Sequence, residues 1–427
     1  MKSCYMIKKM LLGYFILLSS LFLAQEKTIK DIEFVGLKKL KATFIKKVIS
    51  SKKGAILDTI LLKEDLVLLN RMPAVRNAYF TIFENSKSYN VTIAIVENQT
   101  ILPEFNAWTT TNKQFAYKLG IYDYNFLGKN ISLGGFYQKN IFNSYGVHFK
   151  APQLFSKKWG ASINYLNWKS EEPLYFENNT ANYSYQNTSL EFLAIHQLNL
   201  KHQLNFGITF FREKYQYLSG EIAADIPRKL NLKKVLFKGV YVFDNLTYYN
   251  HYISGFKTSL HTQFVTTENN YQYHFLIAWN DFFYFKRIAS TANWANRLCF
   301  GLASNSNTPF APFALDNNIN IRGVGVLIDR GTGTFVLNSE YRQTLYDQNK
   351  IAIQSNFFVD LGSWRKPGGA LSDFIKSQNI HLYSGVGLRF ISKKIYNATF
   401  RIDYGFRLNN LQKNTKGGFV FGIGQYF

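Results

Sequence analysis

Thr334-Phe335-Val336-Leu337-Asn338-Ser339-Glu340-Tyr341-Arg342-Gln343 is followed, after a short polar break, by Ile351-Ala352-Ile353-Gln354-Ser355-Asn356-Phe357-Phe358-Val359-Asp360-Leu361-Gly362. Side chains of a strand point to alternate faces with a period of two. In the first stretch Thr334, Val336, Asn338, Glu340 and Arg342 share one face, and Phe335, Leu337, Ser339, Tyr341 and Gln343 share the other. In the second, Gln354, Asn356, Phe358 and Asp360 oppose Ile351, Ile353, Phe357, Val359 and Leu361. Segments of about ten residues with one apolar and one polar face are the pattern of a transmembrane β-barrel, apolar to lipid and polar to the lumen. Lipid offers a bare backbone no hydrogen bond, so a spanning sheet must close on itself.

The same alternation recurs from Glu104 onward, broken by turn residues. Ile131–Gln138, Ser162–Asn167, Leu204–Phe211, Tyr271–Trp279, Leu382–Phe390, Thr399–Leu408 and Gly418–Phe427 all carry it. In the last, Phe419, Phe421, Ile423 and Phe427 are expected on one face. At roughly 20 residues per strand and connector, this region predicts about 16 strands. Short connectors are expected at 127–130, 198–202, 285–287, 346–350 and 392–396, and long ones at 169–185, 212–230, 302–333 and 362–378. Composition agrees with a barrel. The chain holds 39 Phe and 28 Tyr and a formal charge of +23, yet its mean hydropathy is slightly negative. A lipid-facing aromatic wall and a polar lumen account for both. A soluble β-sandwich or propeller fits less well, because no blade-length repeat is visible.

The first 97 residues read differently. Lys8 and Lys9 precede the apolar run Met10–Leu23, which is shorter than the roughly 20 residues a spanning helix needs. Ala24 and a polar stretch follow, so residues 1–25 are expected to be a cleaved signal peptide. Cleavage leaves Cys299 as the sole cysteine, which excludes an internal disulfide. Next come a strand with Ile29, Ile32, Phe34 and Val35, then a helix with Phe44, Ile45, Val48 and Ile49. A second helix is predicted over Ile60–Asn70, stopped by Pro73. Val75–Phe83 and Tyr89–Val96 complete a β-α-α-β-β order. Lys38–Lys53 contains seven lysines and no acid, either a solvated face or one turned to anionic headgroups or an acidic partner.

Two inward carboxylates on neighbouring strands, Glu340 and Asp360, repel unless a cation lies between them. The long loop between strands 11 and 12 carries Ile321-Arg322-Gly323-Val324, and a guanidinium with five donors can bridge both.

Ile32-Glu33-Phe34-Val35-Gly36, Gly54, Asp65-Leu66, Asn77-Ala78-Tyr79-Phe80 and the strand Val91–Glu97 together resemble a POTRA domain, the periplasmic module of outer-membrane insertases. The loop motif Ile321–Val324 resembles the V/I-R-G-Y/F signature of the BamA and two-partner-secretion superfamily. Phe358-Val359-Asp360-Leu361-Gly362 is similar to its F-x-D-x-G strand motif, and Ser339-Glu340-Tyr341-Arg342 to its acidic strand motif. Asn125–Asn130 resembles its first periplasmic turn, and Phe427 the aromatic end of an outer-membrane β-signal. Val324 departs from the family's usual aromatic.

The resemblance implies a membrane β-barrel of about 16 antiparallel strands over 103–427 and a small α+β POTRA-like domain over 26–98. It implies that Arg322 contacts Glu340 and Asp360, and that the first and last strands pair poorly at a seam. Gly422 and Gly424 are expected to weaken the last strand there. It further implies residence in the outer membrane of a Gram-negative bacterium, with the POTRA-like domain in the periplasm.

The implied function is assembly or insertion of client barrels, whose strands pair at the seam and at the POTRA edge. The alternative is a translocation pore secreting a dedicated polypeptide; such transporters usually carry two POTRA domains and a plug helix. A passive pore is the third reading, against which the Arg322 motif argues. Expected partners are an unfolded outer-membrane or secreted polypeptide, outer-membrane lipid and accessory lipoproteins. No nucleic acid and no cofactor are implied. The sequence shows no G-x-S-x-G, H-E-x-x-H or C-x-x-C, and its seven histidines are scattered, so no enzyme is expected.

Overall fold

The computed structural model describes residues 28–85, 88–109, 115–176, 179–222, 226–249, 251–267, 274–305, 312–315, 320–324, 329–396, 398–409, 417–424 and 427. The expected signal peptide lies outside them. The N-terminal part folds in the expected order: β1 (Thr28–Val35), α1 (Ala42–Val48), α2 (Thr59–Asn70), β2 (Val75–Asn85) and β3 (Ser88–Glu97). β3 is central, parallel to β1 and antiparallel to β2. Ile29, Ile45, Val48, Leu62, Leu69, Ile93 and Ile95 form its buried core. Two carboxylates organise the connections. Asp58 caps α2 by accepting from Ile60 N and Leu61 N at 2.8 and 3.1 Å. Asp65 occupies an otherwise apolar stripe of α2, is buried, and accepts from Ser50 N and Ser51 N at 2.6 and 2.8 Å. It thereby closes the turn after α1.

The chain then enters the barrel through β4 (Ile101–Thr109), β5 (Phe115–Phe126), β6 (Ile131–Lys139) and β7 (Asn143–Ala151). β8 (Trp159–Phe176), β9 (Asn179–Gln197), β10 (His202–Gly220), β11 (Lys229–Tyr249) and β12 (Tyr252–Thr267) follow. β13 (Phe275–Ala289) and β14 (Ala292–Ala303) lead to the long loop, where β15 (Phe313–Leu315) pairs with β16 (Asp329–Gly331). β17 (Gly333–Asp347), β18 (Ile351–Arg365), β19 (Ile380–Ser392), β20 (Thr399–Arg407) and β21 (Gly418–Ile423) complete the wall. Among the described residues sixteen antiparallel strands close the ring, with β21 returning to β4. Phe206, Phe210, Phe237, Leu337 and Phe357 are exposed on the outside, while the residues between them face inward.

Three sequence expectations are corrected. Residues 169–185 and 212–230 are not long loops, because most of them extend the β8–β9 and β10–β11 hairpins. Their inner face buries Leu174, Tyr183, Tyr185, Tyr215, Leu230 and Leu232 as a cluster, which holds the strands together beyond the lipid-facing band. Residues 285–287 lie within β13, and the turn falls after Ala289. Finally, β21 ends at Ile423 rather than Phe427, and the first barrel strand begins at Ile101 rather than at Glu104.

The N-terminal domain sits against the short turns at one end of the barrel. Lys41 N donates to Gly128 O at 3.0 Å, and Lys47 Nζ to Leu154 O at 3.0 Å. Lys157 Nζ donates to Ser50 Oγ at 3.2 Å, and the Arg71 guanidinium reaches the carbonyls of Leu200 and Asp244. The connection to β4 is pinned as well: Gln99 N donates to Lys394 O at 3.1 Å, and Tyr396 N to Gln99 O at 3.0 Å. The lysine run thus meets carbonyl groups of the barrel in part.

Asp65→Ala leaves two N–H groups without their carboxylate. It is expected to destabilise the N-terminal domain by about 2 kcal/mol. For a domain of this size the first calorimetric transition of the full chain should fall by roughly 8–16 °C.

Candidate functional site

Alternation along β17 and β18 sends Asn338, Glu340, Arg342, Asn356, Phe358 and Asp360 into the lumen, and all six are buried. β19 and β20 add Arg389, Arg401 and Asp403 to the same space. The long loop turns back into it, placing Ile321, Arg322 and Gly323 in buried positions and Val324 at a half-buried one. Arg322, Glu340 and Asp360 are each 0% exposed.

Arg322 grips Asp360 through three donors. Its Nε and Nη2 donate to the two carboxylate oxygens at 2.9 Å each, and its backbone N donates to Oδ2 at 3.0 Å. Nη1 donates to Glu340 Oε2 at 2.6 Å. The guanidinium lies 3.5 Å from the centre of the Phe358 ring, so its remaining face is covered by an aromatic. Asn338 Nδ2 donates both to Asp360 Oδ1 at 2.9 Å and to Asn320 O at 2.7 Å.

Around this contact the charges continue. Arg342 Nε and Arg389 Nη2 reach Glu340 Oε1 at 2.7 and 2.6 Å. Arg401 Nη1 lies 3.0 Å from Asp403 Oδ2, and Arg322 Nη1 lies 3.8 Å from Asp403 Oδ1. Isolated charges are costly to bury, and here each carboxylate meets at least one guanidinium. Asp403, Arg389 and Arg401 were not singled out from sequence. The signal existed in the alternation of Arg401-Ile402-Asp403 and of Leu388-Arg389-Phe390.

Close backbone approach fixes the loop tip. Gly323 has φ +87°, and a Cβ there would strike the Gly405 carbonyl. Conversely a Cβ on Gly405 would strike the Arg322 carbonyl, and Gly418 lies against Gly323. The loop therefore rests on β20 and on the start of β21. Gly362 lies on the buried face of β18 two residues beyond Asp360.

The seam is short. Among the described residues β21 meets β4 through three register pairs: Val420–Trp108, Phe421–Ala107 and Gly422–Asn106. β10 and β11 share fifteen, from His202–Phe243 to Gln216–Lys229. A Cβ on Gly422 would meet the Asn106 amide and the Arg401 guanidinium. Gly424, with φ +105°, follows the end of β21. Phe427 is then off the seam and off the lipid face. It lies near Phe285, with ring centres 6.5 Å apart, and its carbonyl oxygen accepts from Arg342 Nη2 at 3.4 Å. Phe427 thus does not share the face of Phe419 and Phe421. Among the described residues no three His, Cys, Asp or Glu side chains converge to hold a metal ion.

The barrel fold has counterparts among solved structures. BamA from Haemophilus ducreyi lacking POTRA domains 1–3 is 13% identical, with a TM-score of 0.57 over 93% of this chain and 84% of that one. CdiB from Escherichia coli is 10% identical, with a TM-score of 0.64 over 94% and 77%. The chain shares the barrel fold of these BamA and CdiB structures. CdiB from Acinetobacter baumannii is 14% identical, with a TM-score of 0.61 over 94% and 74%. No protein-family model and no curated protein sequence matches the chain. At these identities the likeness is one of fold, and that fold resembles outer-membrane barrels of Gram-negative bacteria.

Arg322→Ala leaves Asp360 inside the barrel without a guanidinium, while Glu340 keeps Arg342 and Arg389, and breaking a buried pair in this way costs about 3–5 kcal/mol. The expected result is a folded barrel whose 304–332 loop is cut by protease. Arg322→Lys should not restore protection, because an ammonium cannot form the bidentate contact. Gly405→Ala, two strands away, should expose the same loop.

Proposed function

We propose that the chain is an assembly factor that helps client β-barrels fold into the outer membrane. Residues 26–98 act as a POTRA-like domain on the periplasmic side in this reading, and residues 103–427 form the barrel. A client strand adds to the bare edge exposed when β4 and β21 part. The observation that carries this is the seam, three register pairs among the described residues against fifteen between β10 and β11. An unpaired backbone in lipid costs several kcal/mol per group, so a seam that opens needs a replacement strand at once. An unfolded client supplies one, and its own folding supplies the free energy.

Two further features support this route. β2 lies at an edge of the N-terminal sheet, with Tyr79 and Phe83 exposed, and can accept an extended segment by β-augmentation. The chain leaves β3 and reaches β4, one side of the seam, after only 98–100. A segment held at the domain is thus delivered close to the opening edge. Arg322 holds the long loop against β20 and β21, so the loop bears on the wall that must move.

A second reading, a pore secreting one polypeptide, draws on the likeness to the two CdiB structures, whose TM-scores exceed that of BamA.

Cross-linking discriminates between them. Phe421→Cys and Ala107→Cys face each other across the seam, in a chain whose Cys4 and Cys299 are replaced by Ser. Reconstituted in liposomes, the reduced protein should speed folding of an unfolded barrel, and oxidation should abolish the acceleration reversibly. Deleting 28–97 should also abolish it. Acceleration that survives the cross-link contradicts seam opening; conductance or polypeptide passage without acceleration favours the pore.

A further inference from the structure

The outer wall of β8–β11 changes character abruptly at one level. One register row, Tyr165–Leu190–Phe210–Val235, is apolar across all four strands. The next outward-facing row is Asn167–Thr188–Arg212–Lys233. The one after is Lys169–Gln186–Lys214–Asn231, and the third is Glu171–Ser184–Gln216–Lys229. Residues two apart along a strand share a face and stand about 6.6 Å apart. The three rows therefore form a patch roughly 13 Å tall across four strands.

This patch faces outward. Phe206, Phe210 and Phe237 on the same faces are exposed, whereas Tyr215, Leu230 and Leu232 on the opposite faces are buried. Arg212, Lys214, Lys229 and Lys233 are exposed as well. Inward charges on these strands are paired within the lumen, Lys234 with Glu213 and Lys238 with Glu191. Within these three rows the five outward cations meet one carboxylate, Glu171, in the outermost row. Lys169 Nζ is 4.5 Å from the centre of the Phe142 ring. Gln186, Thr188, Arg212 and Lys214 line a shallow pocket of about 200 Å³.

The position decides the ligand. The patch begins where the apolar band ends, at the barrel end remote from the N-terminal domain. A lipid whose chains lie along Phe206, Phe210 and Phe237 holds its headgroup at these cations. We infer that this wall binds a phosphorylated glycolipid of the outer leaflet, with the acyl chains on the apolar rows and the phosphates on Arg212, Lys214 and Lys233. This rests on the barrel's orientation in an outer membrane and is independent of whether it assembles or secretes.

The test is native mass spectrometry of the full chain in detergent, titrated with bis-phosphorylated lipid A, phosphatidylcholine or inorganic phosphate. Lipid A should be retained and phosphatidylcholine should not. Arg212→Gln/Lys214→Gln/Lys233→Gln should bind lipid A about 100-fold more weakly, and each single change about fivefold more weakly. Glu171→Gln removes the opposing charge and should tighten binding severalfold, a gain that misfolding cannot produce. Lys46→Gln/Lys52→Gln/Lys53→Gln, in the N-terminal domain, should leave binding unchanged. Heat-modifiable mobility on a gel checks that each variant is folded, and the single variants carry the test if the triple does not fold. Equal retention by the folded patch variants overturns the inference. So does loss only in the Lys46 set, equal binding of phosphatidylcholine, or full displacement of lipid A by millimolar inorganic phosphate.

Discussion

A backbone amide in hydrocarbon has no partner but another backbone, and the whole barrel follows from that constraint. It forces sixteen strands into a ring and leaves no free edge inside the membrane. It also makes the join between first and last strands the point where the constraint is met least fully. Among the described residues three register pairs hold β21 to β4, and β21 itself spans Gly418–Ile423 before the turn at Gly424. The weakness is local, because both strands are fully backed by their other neighbours, β5 and β20.

The second requirement is that a polar lumen be satisfied without water everywhere. Arg322 meets it by donating four hydrogen bonds to two carboxylates from different strands. The arrangement also joins a loop of the far end to β17, β18 and β20. Glycine at 323 and 405 lets the loop backbone touch the wall, since any side chain there would separate them. Loop position and seam geometry are thus mechanically linked through β20 and the start of β21. Such a link stabilises one arrangement of the seam and makes its opening depend on a small number of contacts.

Much of the fold was legible because lipid and lumen impose opposite polarity on alternate residues. β17 and β18 could be assigned face by face, and the inward positions of Glu340 and Asp360 followed from period two alone. The β-α-α-β-β order was equally readable from Ile45, Val48, Leu62, Leu69 and Pro73. The extended hairpins were not, because beyond the membrane the outer face becomes polar and the contrast between faces weakens. Lys169, Lys214 and Lys229 there read as loop residues, whereas Tyr183, Tyr215 and Leu232 hold strands behind them. Asp403 and Arg389 carried the right alternation, but which charges meet depends on ring closure and on where the loop returns. The inward place of Phe427 against Phe285 lies beyond the end of β21, where strand alternation no longer applies.

Amide hydrogen exchange in lipid measures the seam most directly. Amides of β21 and of Asn106–Trp108 in β4 should exchange at least about tenfold faster than those of 204–214 and 232–242, where β10 and β11 pair continuously. Exchange would then quicken further at β21 in the Arg322→Ala protein. Equal protection of the seam and of β10–β11 would contradict the account, because a seam as firm as the rest of the wall offers a client no edge.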